Sequence, residues 1–342
     1  MIIRSKAPFR LGLAGGGTDV SPYSDQYGGA VLNATVNLFA FASIVPRTDG
    51  KIKLLAANLN QALHFEQTES LPINGHLDLQ KGVYNRIVRQ FNTGPLSFEL
   101  TTQMDVPSGS GLGTSSTLVV AILGAFVEWL KLPLGDYDIA QLAFSIERED
   151  LNMAGGKQDQ YAATFGGINF IEFNADNSVI VNPLRIKKEW INELQMNLVL
   201  FYTKTSRESA KIIEIQANNV STKQVKPVQA MHLLKEQAFG MKEALMRGDF
   251  RLIGELLDSS WKEKKKMATG ISNTMIDEIY DCAKQAGALG GKISGAGGGG
   301  FMIFFVDDHK RHALLQCLNQ FQGEVWNFSI CEEGLTTWTI DA

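Results

Sequence analysis

Apolar positions recur along this chain at two periods: they alternate over short runs and return with helical spacing over longer ones. The short runs predict strands over residues 2–10, 30–46, 52–56 and 96–104. Helical spacing predicts helices over 79–91, 115–130 and 139–152, and two short runs, 167–173 and 179–180, read as a hairpin around the turn "NADN". The texture changes near residues 185–192. Beyond it comes a fully apolar strand, 196–203, then long helical patterns over 206–218, 225–247, 250–267 and 273–286. Two strands, 292–293 and 301–306, flank a glycine turn, and a helix over 309–321 and a strand over 336–340 follow. A length of 342 residues allows two domains with separate cores, set here at 1–188 and 189–342.

Composition narrows the class. With 44% hydrophobic and 20% charged residues and a net charge of −4, the chain reads as soluble and globular. It shows no basic surface for nucleic acid or anionic membrane. The lysine run "KEKKK" at 262–266 reads as a solvated helix face. Cys282, Cys317 and Cys331 show no close pairing and no metal-ligand spacing, which predicts no disulfide and fits a reducing cytoplasm. Charges interleave with apolar residues over 1–13, so no signal-peptide core is expected there. The longest uncharged apolar run, 118–127, falls short of the roughly 20 residues that span a bilayer.

Glycine placement brings in the chemistry. The segment "PSGSGLGTSS" comprises Pro107, Ser108, Gly109, Ser110, Gly111, Leu112, Gly113, Thr114, Ser115 and Ser116, and it opens a helix. Glycines let backbone N–H groups converge, and the helix N-terminus adds free donors and a positive dipole end. The combination suits phosphate, with hydroxyls placed for a phosphate-bound Mg²⁺. It is not a Walker A loop, because no Lys-Ser or Lys-Thr pair follows the last glycine. A second cluster, "APFRLGLAGGGTD", offers Gly15, Gly16 and Gly17 for close approach, Thr18 and Asp19 for sugar hydroxyls, and Arg10 as a permanent cation for a transferring phosphoryl group. A third, "IEREDLNMAGGKQDQYAATFGG", carries Glu147 and Asp159 on either side of a glycine break, suited to one metal ligand and one proton acceptor. "IERED" also reads as a solvated helix face with ion pairs one turn apart. A fourth, "GGKISGAGGGGFMIFF", matches G-x-G-x-x-G, but a strand follows it where a dinucleotide fold needs a helix. Glycine cradles, hydroxyls, two carboxylates and an arginine are the inventory of phosphoryl transfer.

In motif order, "APFRLGLAGGGTD", "PSGSGLGTSS" and "KISGAGGGGF" resemble the three motifs of the GHMP kinases. The resemblance implies an α+β GHMP kinase fold, with a ribosomal-S5-like, nucleotide-binding N-terminal domain and a ferredoxin-like C-terminal domain. It implies ATP held by the second motif, Mg²⁺ bound by Ser115 and Glu147, Asp159 as base and Arg10 as its support. The third-motif glycines Gly297 and Gly298 would close over the substrate. Galactokinase-like members carry Glu-His before Thr-Asp where this chain has Gly16 and Gly17, so a carboxylate is missing. That loss suits an anionic sugar.

Further segments, "AGGKQDQYAATFGG" and "LFYTKTSRESAKI" among them, resemble the D-glycero-D-manno-heptose 7-phosphate kinases, which phosphorylate O1. Lys157 and Arg207 are then expected at the substrate. A kinase of another sugar, such as fucose or galactose, and a non-catalytic sugar-binding protein of this fold stay open. The expected partners are a sugar phosphate and ATP, in a cytoplasmic monomer or homodimer.

Overall fold

A computed structural model describes residues 1–205 and 209–341. The first part runs β1 (Ile2–Ala14), α1 (Tyr23–Tyr27), β2 (Gly29–Pro46), β3 (Lys51–Ala56), β4 (Gln61–Glu66), α2 (Asp78–Phe91), β5 (Phe98–Met104), α3 (Thr114–Leu130) and α4 (Asp136–Ser145). A widened π-turn, Ile146–Asp150, leads to α5 (Gln158–Phe165), β6 (Ile168–Phe173) and β7 (Val179–Pro183). The second part runs α6 (Lys188–Asn197), β8 (Leu198–Tyr202), α7 (Ser209–Ser221), α8 (Val225–Arg247), α9 (Phe250–Lys264), α10 (Thr274–Gln285), β9 (Gly290–Ile293), β10 (Phe301–Phe305), α11 (Asp308–Leu318), β11 (Glu324–Trp326) and β12 (Thr336–Ile340).

Long strand β2 organises the first sheet, whose order is β12-β1-β2-β5-β3-β4. It pairs with β1 between Leu32 and Ile44, while its far side pairs with β6 over residues 29–34 and with β5 over 40–46. Among the described strands only β3 and β5 run parallel. Helix α3, apolar all round over residues 118–127, lies buried against β1 and β2 as such a pattern demands. The second sheet, β11-β8-β10-β9, is fully antiparallel. Its strands β8 and β10 are buried on both faces: Leu198, Leu200, Phe301, Ile303 and Phe305 join the core of the first sheet, and Val199, Phe201, Met302 and Phe304 join a second core under α9 and α10.

Residues beyond 188 also return to the first sheet. Cys331 accepts the Gly167 amide, Leu335 donates to the Thr164 carbonyl at the end of α5, and β12 pairs with β1 from Ile2–Ile340 to Lys6–Thr336.

Two expectations are corrected. The helix expected over 139–152 ends at Ser145, and the chain widens into the π-turn before Asn152 takes a left-handed conformation. Packing of α10 on α11 brings Cys282 and Cys317, 35 residues apart, into a disulfide with Cα atoms 6.1 Å apart. Among the described residues no helix is long and apolar enough to cross a membrane.

Candidate active site

The loop before α3 alternates in facing. Gly109, Gly111 and Gly113 all have positive φ (72°, 85° and 79°) and line a cavity of about 420 Å³ together with Thr114, Ser115 and Ser116. Between them, Ser110 and Leu112 are fully buried: the Ser110 carbonyl accepts the Phe301 amide (2.9 Å) and Leu112 packs in the core. Pro107 and Ser108 stay exposed on the outer side. Glycine is required at 111 and 113 by both conformation and space. A Cβ would fall 2.5 Å from the Ser294 carbonyl oxygen at 111 and 2.9 Å from the Asp159 carboxyl carbon at 113. Among the described residues no side chain caps α3, which leaves its first-turn N–H groups facing that cavity, where they suit an anion.

Two carboxylates stand on the facing wall. Glu147, carried on the π-turn, is only 1% exposed and accepts hydrogen bonds from the Gln160 amide and the Ser116 hydroxyl. Burial pushes its pKa above the usual carboxylate value, a shift that Arg148, 3.9 Å away, and the two hydrogen bonds only partly oppose. Ser116 is thus the hydroxyl on Glu147, while half-buried Ser115 lines the same cavity. Asp159, in the first turn of α5, accepts from Arg10 Nε at 2.7 Å. Arg10 is itself buried, and its Nη1 donates to the Gly111 carbonyl (2.9 Å) and the Ser294 hydroxyl (3.1 Å). Three glycine-rich segments are therefore fastened to one guanidinium.

Gly16, Gly17 and Asp19 line an adjoining, smaller cavity of about 70 Å³, which shares Arg10, Gly156, Asp159 and Gly295 with the larger one, while Gly15 and Thr18 line neither. The Thr18 hydroxyl reaches the carbonyl oxygens of Gly15 (2.8 Å) and Ala30 (3.0 Å), closing the turn. Asp19 accepts from the Gln158 backbone amide (3.1 Å), the Gln158 side chain (2.9 Å) and the Gly17 amide (3.1 Å). Its carboxylate thereby holds the N-terminus of α5, the helix that carries Asp159. A Cβ on Gly156 would lie 1.9 Å from Asp19 Oδ2, so a glycine is needed for the two segments to meet.

Other expected residues lie apart. The Lys157 ammonium turns to Asn177 (2.9 Å) and Asp25 (3.5 Å) and lines neither cavity. Gly297 and Gly298 pack on Ile271, with the Gly298 amide donating to its carbonyl (2.8 Å); Gly295 and Ala296 face the cavities instead. Arg207 lies outside the described residues.

The solvated-face reading of 262–266 is corrected at Lys264, which is 2% exposed and donates to the Gly16 carbonyl (3.2 Å). Burial, opposed by Asp19 and reinforced by Arg10, lowers its pKa to about 8. Helical spacing marks it: Ile253, Leu257 and Trp261 are the buried stripe of α9, and Lys264 is the next residue on it. Lys292, in the edge strand β9, is 3% exposed and donates to the Gly12 carbonyl (2.8 Å); burial and the neighbouring Lys264 and Arg10 depress its pKa well below the usual value.

Residues 78–167 match the profile of the GHMP kinases N terminal domain and residues 241–323 that of the GHMP kinases C terminal. Over 338 residues, 99% of both chains, the protein is 50% identical to a D-glycero-alpha-D-manno-heptose 7-phosphate kinase of Campylobacter jejuni. A crystal structure of a D-glycero-D-manno-heptose 1-phosphate kinase from Bacteriodes thetaiotaomicron superposes with a TM-score of 0.85 at 44% identity, covering 99% of this chain and 100% of that one. Lactococcus lactis galactokinase complexed with galactose shares the fold at 20% identity, with a TM-score of 0.78 over 98% of this chain and 95% of its own. Profiles, full-length likeness and fold agree on the relationship that the three glycine motifs suggest: the chain belongs to the GHMP kinase family.

Proposed function

We propose that this kinase transfers the γ-phosphoryl group of ATP to O1 of D-glycero-D-manno-heptose 7-phosphate, giving the 1,7-bisphosphate. The observation that carries the reading is Asp159. Its carboxylate borders both cavities, one under the uncapped α3 N-terminus and one lined by buried ammonium groups, and Arg10 holds it there. The likeness to a heptose 7-phosphate kinase over the full length supports the choice of sugar.

In this reading the Gly109, Gly111 and Gly113 backbone and the first turn of α3 cradle the nucleotide phosphates. Asp159 accepts the O1 proton as O1 bonds the γ-phosphorus; the bond to the β–γ bridging oxygen breaks, and ADP leaves with that oxygen. An anomeric hydroxyl is more acidic than an ordinary alcohol, so an ion-paired carboxylate suffices as base. Glu147 fits a divalent cation: it is a buried carboxylate whose ion pair among the described residues is the long one to Arg148, 3.9 Å away. With the Ser115 hydroxyl it would hold the Mg²⁺ that accompanies ATP, which when bound supplies charge neutralisation on the phosphates.

The two relatives' names differ in which end of the heptose already carries phosphate, and the test is built on that difference. ADP release is measured with heptose 7-phosphate, heptose 1-phosphate, unphosphorylated heptose, fucose and galactose. The expected result is the highest kcat/KM for heptose 7-phosphate. A higher value for fucose, galactose or heptose 1-phosphate rejects the reading.

A further inference from the structure

The smaller cavity holds more positive charge than the catalytic step uses. Arg10, Lys264 and Lys292 border it with two carboxylates, Asp19 and Asp159. Asp159 is engaged by Arg10, and both Asp19 oxygens are engaged at the start of α5. Lys264 and Lys292 are left with backbone carbonyl partners, and among the described residues neither has a carboxylate within ion-pair distance. Burying two ammonium groups without counter-charge is costly, and the cost is recovered when an anion enters. A third donor lines the same space: Gln216, 2% exposed, has its side-chain Nε2 without a partner among the described residues.

Gly16 adds a separate observation. Gly15 and Gly17 have positive φ (75° and 106°), but Gly16 does not, so its backbone does not call for glycine. Among the described residues, a Cβ there would meet nothing closer than the Gln158 side-chain amide at 3.8 Å and Lys264 Nζ at 3.9 Å. The missing side chain leaves clear space in front of two donors. At about 70 Å³ the cavity is too small for a heptose but has room for a phosphate group, and the larger cavity past Asp159 takes the rest.

We propose that Lys264 and Lys292, with Gln216 and the gap at Gly16, form the receptor for the phosphate the substrate already carries and does not transfer. The assignment rests on the sugar-phosphate reading above. It makes Lys264 and Lys292 the specificity-determining residues and gives them a charge-assisted grip on a dianion. Transfer chemistry stays with Asp159.

The test compares wild type, Lys264→Met, Lys292→Met and Gly16→Glu. Two quantities are read: the ratio of kcat/KM for heptose 7-phosphate to that for unphosphorylated heptose, and the rise in melting temperature that heptose 7-phosphate gives without ATP. Each variant is expected to cut the ratio by about 10- to 150-fold, mainly through KM, and to abolish the rise. The rise given by ATP should persist, which certifies the fold. Gly16→Glu places an acid beside Lys264 at a position where a side chain fits, so it tests the charge without deleting a buried stem. If wild type prefers the phosphorylated sugar and all three variants keep that preference, the receptor lies elsewhere and the proposal fails alone. If wild type shows no preference, the sugar-phosphate reading fails and takes the proposal with it.

Discussion

Gly113 and Asp159 approach so closely that a Cβ on the glycine would lie 2.9 Å from the carboxyl carbon of the acid. The nucleotide loop and the proposed base therefore set each other's position across the site. Gly113 also has φ +79°, where a side chain is strained. Gly113→Ala should lower stability by about 1–3 kcal/mol and displace Asp159, so that kcat falls more than ATP affinity. Thermal melts and steady-state kinetics check both; a variant with wild-type kcat shows that the carboxylate tolerates displacement.

Asp159→Asn keeps the side chain's shape and removes the proton acceptor. ATP binding should persist while kcat falls by about 10²- to 10⁴-fold, the range for a general base, with the lower end expected for an acidic anomeric hydroxyl. Activity within a few-fold of wild type would falsify the assignment.

Ser115→Ala and Glu147→Gln each remove an oxygen that the Mg²⁺ reading requires, and both should raise the Mg²⁺ concentration needed for half-maximal rate. Ser116→Ala acts one step removed, by freeing the Glu147 carboxylate, and should shift the titration less. Unchanged Mg²⁺ titrations in the first two variants place the ion elsewhere.

Lys264 gives a pH signature with two opposite signs. Its pKa falls from 10.5 to about 8 on folding. Between those values the unfolded chain carries a proton that the folded one lacks, so stability contributed at this residue rises with pH across the window; below about 8 the full burial cost applies. Denaturation of wild type against Lys264→Met should show wild type gaining with rising pH, while stabilisation by heptose 7-phosphate fades as the ammonium is lost. A stability difference that stays flat through this window shows that Lys264 does not titrate there.

Long patterned elements were legible without coordinates. The helix over 225–247 agrees with α8 residue for residue, because apolar spacing and the flanking Gly248 mark both its body and its end. The family and its fold were legible in three glycine motifs. Elements that tertiary contacts define were not. Helix α5 is eight residues long with a polar start, and what holds that start is Asp19, far off in sequence. Strand β4 is largely exposed, so no apolar run announces it.

At the site, the alternation that turns Gly109, Gly111 and Gly113 inward is a property of the folded loop. Lys264 was hidden by composition, since its neighbours in the lysine run are exposed, although its place on the buried stripe of α9 was there to be read. The Cys282–Cys317 pairing depends on how α10 meets α11, which spacing along the chain does not encode.

The pairing of β12 with β1 has a consequence for how the enzyme is made. A ribosome delivers β1 more than 300 residues ahead of β12, so one edge of the strand bearing Arg10 emerges long before its mate. Until then that edge is an open template that a neighbouring nascent chain on the same message could occupy. The same late segment brings Leu335 to the end of α5, so both the arginine's strand and the acid's helix are completed in one closing step. Completion of both elements is in this way tied to translation of β12, and a product terminated before it would be left with a sticky edge on β1 and without the Leu335–Thr164 bond at the end of α5.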